Sequence, residues 1–542
     1  MTDTQPTADY YKYCPGEEHV KISNAICLGR RRTHFPKCHG CRFNDDEKMA
    51  ASATAPRSTT PVRNATNSLL LPTPPDRTEA ANAVASLFRS CDVSGTVPEP
   101  LSVDAAWRIG HAAAQFLRAK LRGYDRADPN TRALVVGRDP RREGVALEEA
   151  LIEGIRSTGT NVVSLGMIDT AQLYFAVHHV GSCGGVQITA GHKPVDHNGF
   201  RICGAKAVPI GAETGLMSIR DIAMRIPRHQ TGAQSRLITK DLSEAYTQYV
   251  RGFLLAKARL PRPIKIVVDA SNGSAGRWLP IIFKGMRNLR LIRLNFDGRG
   301  EFAHEPNPLK LKNTREMRRV VKEHQADFGV CFDSSAERSV FADEKGHTCR
   351  PELLGALLAR LFVERHPGGA VVYDHRASVV TEEEIVRAGG MPVRERIGRD
   401  FIKRAMAERD AVFGCDLSGC FYFRDNDYCE SGILALVHVI NLLLSTGRSL
   451  SELIRPLQRY SFSSDVRFAC DDTEQVLQQV AEAHRSAAIE QFDGLTFRYP
   501  DWWFNVRPFA AERQVHVTLE ARSRKLVDQK LGELQPLLGE RA

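Results

Sequence analysis

The chain has 542 residues, of which 42% are hydrophobic, and 74 Lys and Arg against 64 Asp and Glu give it a formal net charge of +10. This length exceeds what one hydrophobic core can organise, so several domains are expected. A basic balance suits nucleic acids, anionic surfaces and phosphorylated metabolites alike, and it excludes none of them. The sequence contains neither a long apolar run nor a signal-peptide pattern. We therefore expect a soluble cytoplasmic protein without a membrane partner.

Residues 1–44 form a Cys-rich segment, the predicted zinc knuckle. Four thiols are separated by 12, 10 and 2 intervening residues: Cys14, Cys27, Cys38 and Cys41. Four thiolates bind Zn²⁺ tetrahedrally and can fold a segment too small to have a core, so we expect Zn²⁺ here; the alternative is four unrelated cysteines. The surrounding arginines and lysines indicate either a nucleic-acid contact or a charged, solvated face.

Residues 45–82 are rich in Ala, Ser, Thr and Pro, a composition typical of a flexible linker. From residue 83 onward strand-like runs alternate with amphipathic helical ones, which predicts α/β layers. We expect three related α/β domains, at 83–235, 236–348 and 349–462. A C-terminal α+β domain is predicted at 463–542.

Residues 188–199 are the most informative stretch and read Ile-Thr-Ala-Gly-His-Lys-Pro-Val-Asp-His-Asn-Gly. This stretch resembles the catalytic loop of the α-D-phosphohexomutases, the phosphomannomutase and phosphoglucomutase family. In that family the loop reads Thr-Ala-Ser-His-Asn-Pro, followed by Tyr-Asn-Gly-Phe-Lys, and its serine carries the transferred phosphoryl group. Gly191 stands at the serine, His192 at the histidine and Lys193 at the asparagine. The resemblance implies that no phosphoenzyme forms at Gly191, because glycine has no side-chain oxygen.

Residues 333–338, Asp-Ser-Ser-Ala-Glu-Arg, are similar to the family's metal loop, Asp-Gly-Asp-Ala-Asp-Arg. Three carboxylates of that loop and the phosphoserine surround one Mg²⁺. Asp333 matches, Ser335 replaces the central acid and Glu337 lengthens the last one. Mg²⁺ demands nearly ideal octahedral oxygen geometry, so we expect weak Mg²⁺ binding or none. Arg338 is a candidate ion-pair partner for Asp333 or Glu337.

Residues 413–420 look like the family's sugar-contacting loop, Gly-Glu-x-Ser-Gly-His. Asp416, Ser418 and Gly419 are therefore the candidate sugar contacts, although the acid is one methylene shorter. Residues 397–403 follow the family's Gly-His-x-Phe-Ile-Lys. This second match makes Lys403 a candidate phosphate contact.

The family's phosphate-clamping loop, Arg-Pro-Ser-Asn-Thr-Glu-Pro, corresponds to residues 507–513, Arg-Pro-Phe-Ala-Ala-Glu-Arg. Three polar residues have become Phe and two Ala, so their hydrogen bonds to phosphate are lost. Arg507 and Arg513 remain as candidate anion contacts, and we expect Phe509 to fill the vacated space. A separate family motif near the start of the first α/β domain reads Tyr-Asp-Ile-Arg-Gly, and Ser94 stands at the position of its arginine.

These departures concentrate at the site, whereas scaffold motifs such as residues 136–139, Val-Gly-Arg-Asp, are kept. The leading hypothesis is a phosphohexomutase-fold pseudoenzyme that binds a phosphosugar, another anion or a partner such as an active mutase. An active phosphomannomutase or phosphoglucomutase with an atypical site is the rival, with Thr189 as the nearest hydroxyl. A zinc-dependent nucleic-acid-binding regulator is a third reading.

Overall fold

The structure is a computed structural model that describes residues 11–13, 21–23, 77–121, 132–226, 235–255, 262–463, 465–509 and 512–542. The chain divides into two compact units, Met1–Pro74 and Pro75–Ala542. In the first unit the strands β1, Tyr11–Tyr13, and β2, Lys21–Ser23, pair antiparallel. The four cysteines of the predicted zinc knuckle lie outside the described residues.

Domain I of the second unit is built on a six-stranded sheet in the order β3-β7-β6-β4-β5-β8. The four strands β6, β4, β5 and β8 pair in parallel with one another in that order, whereas β7 is antiparallel to both β6 and β3. The strands are β3 Val93–Thr96, β4 Ala133–Arg138, β5 Asn161–Met167, β6 Gly184–Ile188, β7 His197–Gly204 and β8 Leu237–Thr239. Strand β8 follows the predicted boundary at residue 235 and yet pairs with β5, so this sheet extends beyond that boundary.

Domains II and III share one topology, in which three parallel strands are followed by two antiparallel ones. The order is β10-β9-β11-β12-β13 in domain II and β15-β14-β16-β17-β18 in domain III. Domain II contains β9 Ile264–Asp269, β10 Leu289–Leu294, β11 Phe328–Phe332, β12 Ser339–Asp343 and β13 Thr348–Cys349. Domain III contains β14 Ala370–Asp374, β15 Met391–Glu395, β16 Phe413–Cys415, β17 Phe421–Phe423 and β18 Cys429–Glu430.

Domain IV has an antiparallel sheet in the order β21-β22-β23-β24-β20-β25, and β19 also pairs with β24. Its strands are β19 Ser461–Phe462, β20 Val466–Ala469, β21 Ala488–Gln491, β22 Leu495–Arg498, β23 Trp502–Phe509, β24 Gln514–Ala521 and β25 Glu540–Arg541. Domains I to III with this α+β domain confirm the predicted fold class.

Helices connect the strands of each domain and cover the sheets. Those of domain I are α1 Arg77–Ser86, α2 Val103–Lys120, α3 Gly144–Ser157, α4 Thr170–Val180 and α5 Met217–Arg225; those of domain II are α6 Ser243–Gly252, α7 Ala275–Ile282 and α8 Arg315–Glu323. Domain III contains α9 Pro351–Arg365, α10 Val379–Arg387, α11 Arg399–Glu408, α12 Gly432–Thr446 and α13 Leu450–Ile454, and domain IV contains α14 Thr473–Ala483 and α15 Arg524–Leu538.

Helix α12 is the most apolar of these helices, and the structure places it in the core. Ser431 caps it by accepting a hydrogen bond from the Leu434 amide, and the residues from Gly432 to Leu443 are buried. Within the described ranges no single helix is long and apolar enough to cross a membrane. Only the bent pair Gly432–Thr446 and Leu450–Leu457, taken together, meets that criterion of length and composition.

Candidate functional site

Three of the four loops identified in the sequence occupy equivalent places in their sheets. Residues 189–196 connect β6 to β7, residues 333–338 connect β11 to β12, and residues 416–420 connect β16 to β17. Each loop therefore joins the last parallel strand to the first antiparallel one, which brings all three to corresponding sheet edges. Ser334 Oγ donates to the Gly191 carbonyl at 2.7 Å, and the Ser339 amide donates to the Gly419 carbonyl at 2.9 Å. The loops of domains I, II and III thus meet in one cleft.

Gly191 lies beside the metal loop in a left-handed conformation, with φ of +55°. A Cβ atom placed on it would lie 3.3 Å from both Arg201 Nη2 and Asp333 Oδ2, and 3.6 Å from Ser335 Oγ. The residue at this position therefore faces the metal loop, as the resemblance requires of a phosphoryl carrier. Its own atoms offer no nucleophile.

Thr189, the nearest hydroxyl considered from the sequence, is buried and already engaged. Its Oγ1 donates to Asp139 Oδ2 at 2.7 Å and accepts the Gly191 amide at 2.9 Å. Ser334 Oγ also lies within hydrogen-bond distance of Asp139 Oδ2, at 2.8 Å. These bonds use the Thr189 hydroxyl to hold the loop in shape.

His192 and Lys193 follow Gly191 in the same loop. Burial, reinforced by the charges of Arg338 and Lys193, lowers the pKa of His192 to about 2, so its ring is neutral at physiological pH. Its Nδ1 has no hydrogen-bond partner among the described residues. Lys193 Nζ donates to the hydroxyl of Ser94, the residue at the family's arginine position.

The metal loop is fully buried at its acidic positions. Asp333 Oδ1 accepts the Glu337 amide at 2.9 Å and the Arg338 amide at 3.3 Å, and Ser335 Oγ lies 3.4 Å from both Asp333 oxygens. Burial raises the pKa of Asp333, and the neighbouring Arg338 charge opposes that rise. Arg338 makes no ion pair with Asp333 or Glu337 within the described part of the chain.

Glu337 pairs with Arg201, a residue of β7 that the sequence analysis did not single out. Arg201 Nη1 contacts Glu337 Oε2 and lies 3.8 Å from Glu430 Oε1. Arg399 Nη1 also approaches Glu337 Oε2, at 3.8 Å. The side chain of Arg201 is 10% exposed and that of Glu337 is 2% exposed, so these charges meet away from solvent.

Lys403 is not directed at open solvent. Its Nζ lies 3.6 Å from Glu430 Oε2 and 3.9 Å from the centre of the Tyr174 ring, and its side chain is 2% exposed. The Tyr174 hydroxyl donates to Glu430 Oε1 at 3.0 Å. Lys403 therefore serves as the partner of a buried carboxylate in this structure.

Asp416 is engaged within its own loop. Its Oδ1 accepts from the Ser418 amide at 2.9 Å, the Ser418 hydroxyl at 2.6 Å and the Cys420 amide at 3.1 Å, and its Oδ2 accepts from the Tyr422 hydroxyl at 3.0 Å. Gly419 completes the turn with φ of +77°. A sugar hydroxyl would have to compete with these bonds for Asp416 and Ser418.

The phosphate-clamping segment comprises the last three residues of β23 and the connection to β24, and its residues 510 and 511 are outside the described ranges. Arg507 is buried, and its Nε and Nη1 have no hydrogen-bond partner in the described portion of the chain. The Phe509 ring stacks on His516 at 3.9 Å and lies 4.7 Å from the Arg507 guanidinium carbon. Arg513 is exposed, with φ of +51°.

Sequence reasoning missed Arg201 and Glu430. A signal was available for Arg201, because it directly follows the matched Asn198-Gly199-Phe200 and stands where the family loop has a lysine. No such sequence signal marked Glu430, because a short strand with a single acidic residue is common. It became visible only through its contacts with Lys403 and Tyr174.

Three domains with equivalent loops meeting in one cleft define a phosphohexomutase-type fold, and comparison with known proteins gives the same result. Family models for the phosphoglucomutase/phosphomannomutase alpha/beta/alpha domains I, II and III match residues 85–228, 244–346 and 350–460. The chain belongs to the phosphoglucomutase and phosphomannomutase family, the α-D-phosphohexomutases.

The relatives cover most of the chain. A phosphomannomutase of Salmonella montevideo is 32% identical over 446 residues, which is 80% of this chain and 94% of the relative. A phosphomannomutase of Escherichia coli K12 is 32% identical over 445 residues, with the same coverages. A solved phosphoglucomutase/phosphomannomutase family protein of Burkholderia thailandensis superimposes with a TM-score of 0.74 at 25% identity, covering 84% of this chain and 97% of that one. Members of this family use Mg²⁺ in catalysis.

Proposed function

We propose that this chain binds a sugar phosphate or a related anion, or a protein or nucleic-acid partner, and transfers no phosphoryl group. Two residues of the same loop, Gly191 and Thr189, together carry the proposal. Gly191 faces the metal loop but has no side-chain oxygen to act as a nucleophile. The Thr189 hydroxyl is already engaged, because it donates a hydrogen bond to Asp139 and accepts one from the Gly191 amide. Covalent phosphoryl transfer needs an activated oxygen at this place.

The donor set of the metal loop does not fit Mg²⁺. Gly191 supplies no oxygen, Ser335 offers a neutral hydroxyl, and Glu337 is in contact with the Arg201 guanidinium. Asp333 Oδ1 accepts two backbone amides, which leaves Oδ2 as its freer oxygen. Mg²⁺ dehydrates reluctantly and binds poorly to so incomplete a shell, so the proposed function includes no metal-dependent step.

Anion binding is supported best at Arg507. Its buried guanidinium has two nitrogens without hydrogen-bond partners among the described residues, and a buried donor without a partner costs roughly 1–3 kcal/mol. A phosphate or carboxylate oxygen would satisfy these donors. A sugar monophosphate is the proposed ligand class. An active mutase as partner, or a nucleic acid bound through the Cys-rich segment, extends the same proposal.

An active mutase is the second candidate, because phosphomannomutases are 32% identical to this chain over 80% of its length. It would require another phosphoryl carrier. Phosphoryl transfer depends almost wholly on positioning and charge neutralisation, and both depend on groups that differ here.

A phosphorus NMR time course of the full-length protein distinguishes the two. Glucose 1-phosphate or mannose 1-phosphate is supplied with the matching bisphosphate and Mg²⁺, and a phosphomannomutase relative serves as positive control. We expect no conversion to the 6-phosphate. Conversion at a rate proportional to protein concentration would establish the active mutase.

Calorimetric titration with glucose 6-phosphate tests the binding part. We expect Arg507→Gln to weaken binding at least about tenfold, since one charge-assisted hydrogen bond contributes about 1.5–3 kcal/mol. Arg522→Gln is the matched control, because Arg522 is an exposed arginine of the same domain paired with Asp501. Equal affinity of the wild type and Arg507→Gln would remove Arg507 from the site.

A further inference from the structure

Domain II contains a second group of potential metal ligands, separate from the metal loop. Asp269 ends β9, Cys331 lies in β11, and His304 belongs to the loop that follows β10. Their ligand atoms, a carboxylate oxygen, a thiol sulfur and an imidazole nitrogen, all lie within 4.8 Å of one another. Asp269 and Cys331 are fully buried, and the His304 side chain is 18% exposed. These three residues form the Asp-His-Cys cluster.

The hydrogen bonds of His304 fix which of its ring nitrogens faces the cluster. Nδ1 lies 2.8 Å from the Glu305 carbonyl oxygen, and because a carbonyl only accepts, Nδ1 carries a hydrogen. Nε2 lies 3.1 Å from Asp269 Oδ2. In a neutral ring the Nε2 lone pair would then face a carboxylate oxygen with nothing positive between them. This position therefore requires either a proton or a metal ion.

Asp269 is oriented in a comparable way. Its Oδ1 accepts hydrogen bonds from the Ser271 amide and from the Asn295 side-chain amide, each at 2.9 Å, which leaves Oδ2 directed at His304. Histidines that bind a metal usually donate their other ring N–H to a carbonyl or carboxylate, and ligating carboxylates are likewise held by hydrogen bonds. Both side chains thus have the supporting contacts of metal ligands.

The spacing of the cluster suits a tetrahedral ion. With bonds of about 2.0 Å to nitrogen and oxygen and about 2.3 Å to sulfur, Zn²⁺ separates nitrogen from oxygen by about 3.3 Å and either of them from sulfur by about 3.5 Å. The 3.1 Å between His304 Nε2 and Asp269 Oδ2 is close to the first value. Cys331 Sγ lies within 4.8 Å of both atoms, so it would have to approach by at most about 1.3 Å.

We propose that the Asp-His-Cys cluster is a binding site for a divalent transition-metal ion, with Zn²⁺ preferred over Mg²⁺ and Ca²⁺. Thiolate and imidazole ligands suit Zn²⁺ and Co²⁺, whereas Mg²⁺ and Ca²⁺ require oxygen ligands. A bound ion would hold the loop that carries His304 against the carboxyl ends of β9 and β11. The proposal does not depend on the proposed function, because its three ligands lie outside the cleft loops.

The cluster supplies three protein ligands and leaves the fourth position to water, which the partly exposed His304 allows to enter. Three ligands hold an ion less tightly than the four thiolates predicted in the Cys-rich segment. We therefore expect the cluster to fill from added metal and to lose its ion during purification.

Cobalt titration of the full-length protein tests the site. The double variant Cys38→Ser/Cys41→Ser is the starting protein, so that the predicted zinc knuckle does not dominate the signal. We expect one equivalent of Co²⁺ to produce a thiolate-to-cobalt charge-transfer band that Zn²⁺ removes by displacement and that millimolar Mg²⁺ leaves unchanged. The absence of a saturable band, or its loss on addition of Mg²⁺, would overturn the proposal and leave a proton between His304 and Asp269.

Variants of the ligands identify where the ion binds. Cys331→Ala should abolish the band, and His304→Gln should weaken Co²⁺ binding at least about tenfold. Cys349→Ala is the matched control, because Cys349 is another buried cysteine of domain II, and it should leave the band unchanged. A band that persists in Cys331→Ala would refute the assignment. Should Cys331→Ala fail to fold, His304→Gln decides the question, and wild-type affinity in that variant would also refute the site.

The metal loop needs a separate check, because Asp333 follows Cys331 by two positions. Asp333→Asn should keep the cobalt band. A band that Asp333→Asn abolishes and Cys331→Ala retains would assign the ion to the metal loop and overturn the proposal. The melting temperature gives an independent readout: Zn²⁺ should raise it in the starting protein and leave it unchanged after Cys331→Ala.

Discussion

The guanidinium of Arg141 donates a hydrogen bond to the carbonyl oxygen of Gly191 at 2.9 Å. Its other donors bond the carbonyls of Lys193, Pro194 and His197 and the carboxylate of Asp139, and the side chain is 0% exposed. One buried arginine thus shapes the whole loop around Gly191.

Arg141→Lys tests this role. An ammonium has three donors on one nitrogen and cannot reach four carbonyls and a carboxylate, so we expect the free energy of unfolding to fall by about 3 kcal/mol. Denaturant unfolding of the full-length protein measures it. The neighbouring Arg142→Lys, at a side chain 63% exposed beside Glu301, should change it by less than about 0.5 kcal/mol. Equal effects of the two substitutions would contradict the assignment.

Gly191→Ser restores the serine of the family loop but should not restore mutase activity. The metal loop would still contain Ser335 and the Arg201 contact with Glu337. A side chain at φ of +55° is also strained, at roughly 1–2 kcal/mol. The phosphorus NMR assay and denaturant unfolding measure both effects, and Gly191→Ala separates strain from hydroxyl chemistry. Turnover by Gly191→Ser alone would show that the remaining loops are competent.

We expect His438 to make the stability of the protein sensitive to acid. It is buried against Phe362 and Phe423, and this burial lowers its pKa to about 3. Above the unfolded pKa of about 6.5 both states are neutral; below it the unfolded state binds the proton first, so stability falls between about pH 6.5 and 3.

His438→Leu should therefore flatten the decline of unfolding free energy across that window. Urea unfolding at a series of pH values measures the slope, and His347→Leu, at a side chain 74% exposed, is the control. A parallel decline in wild type and His438→Leu would assign the acid sensitivity to other groups.

We expect the full-length protein to purify with Zn²⁺ bound to its Cys-rich segment. We expect about one Zn²⁺ per chain by elemental analysis after purification without chelator. Cys38→Ser with Cys41→Ser should remove it, and Cys470→Ser should leave it. A wild-type protein without zinc would favour the alternative of four unrelated thiols.

Sequence alone determined the fold class and the identities at the loop positions. Alternating strand and helix patterns mark the α/β domains because burial of apolar residues follows local periodicity. The absence of a side-chain oxygen at Gly191 is equally local, because it follows from the identity of the residue. The same comparison with the family loops predicts Ser335 and Glu337 as changed metal-loop residues, and this assignment stays a prediction.

Tertiary structure decided which groups meet. Tyr174 and Glu430 are 256 positions apart, and Ser334 contacts Gly191 across 143 positions, distances over which no sequence periodicity carries information. Lys403, expected to contact phosphate, is paired with Glu430, and Arg201 occupies the contact of Glu337 that Arg338 was a candidate for. Such pairings depend on domain packing and on which charges must be offset once buried, and the folded chain alone specifies both.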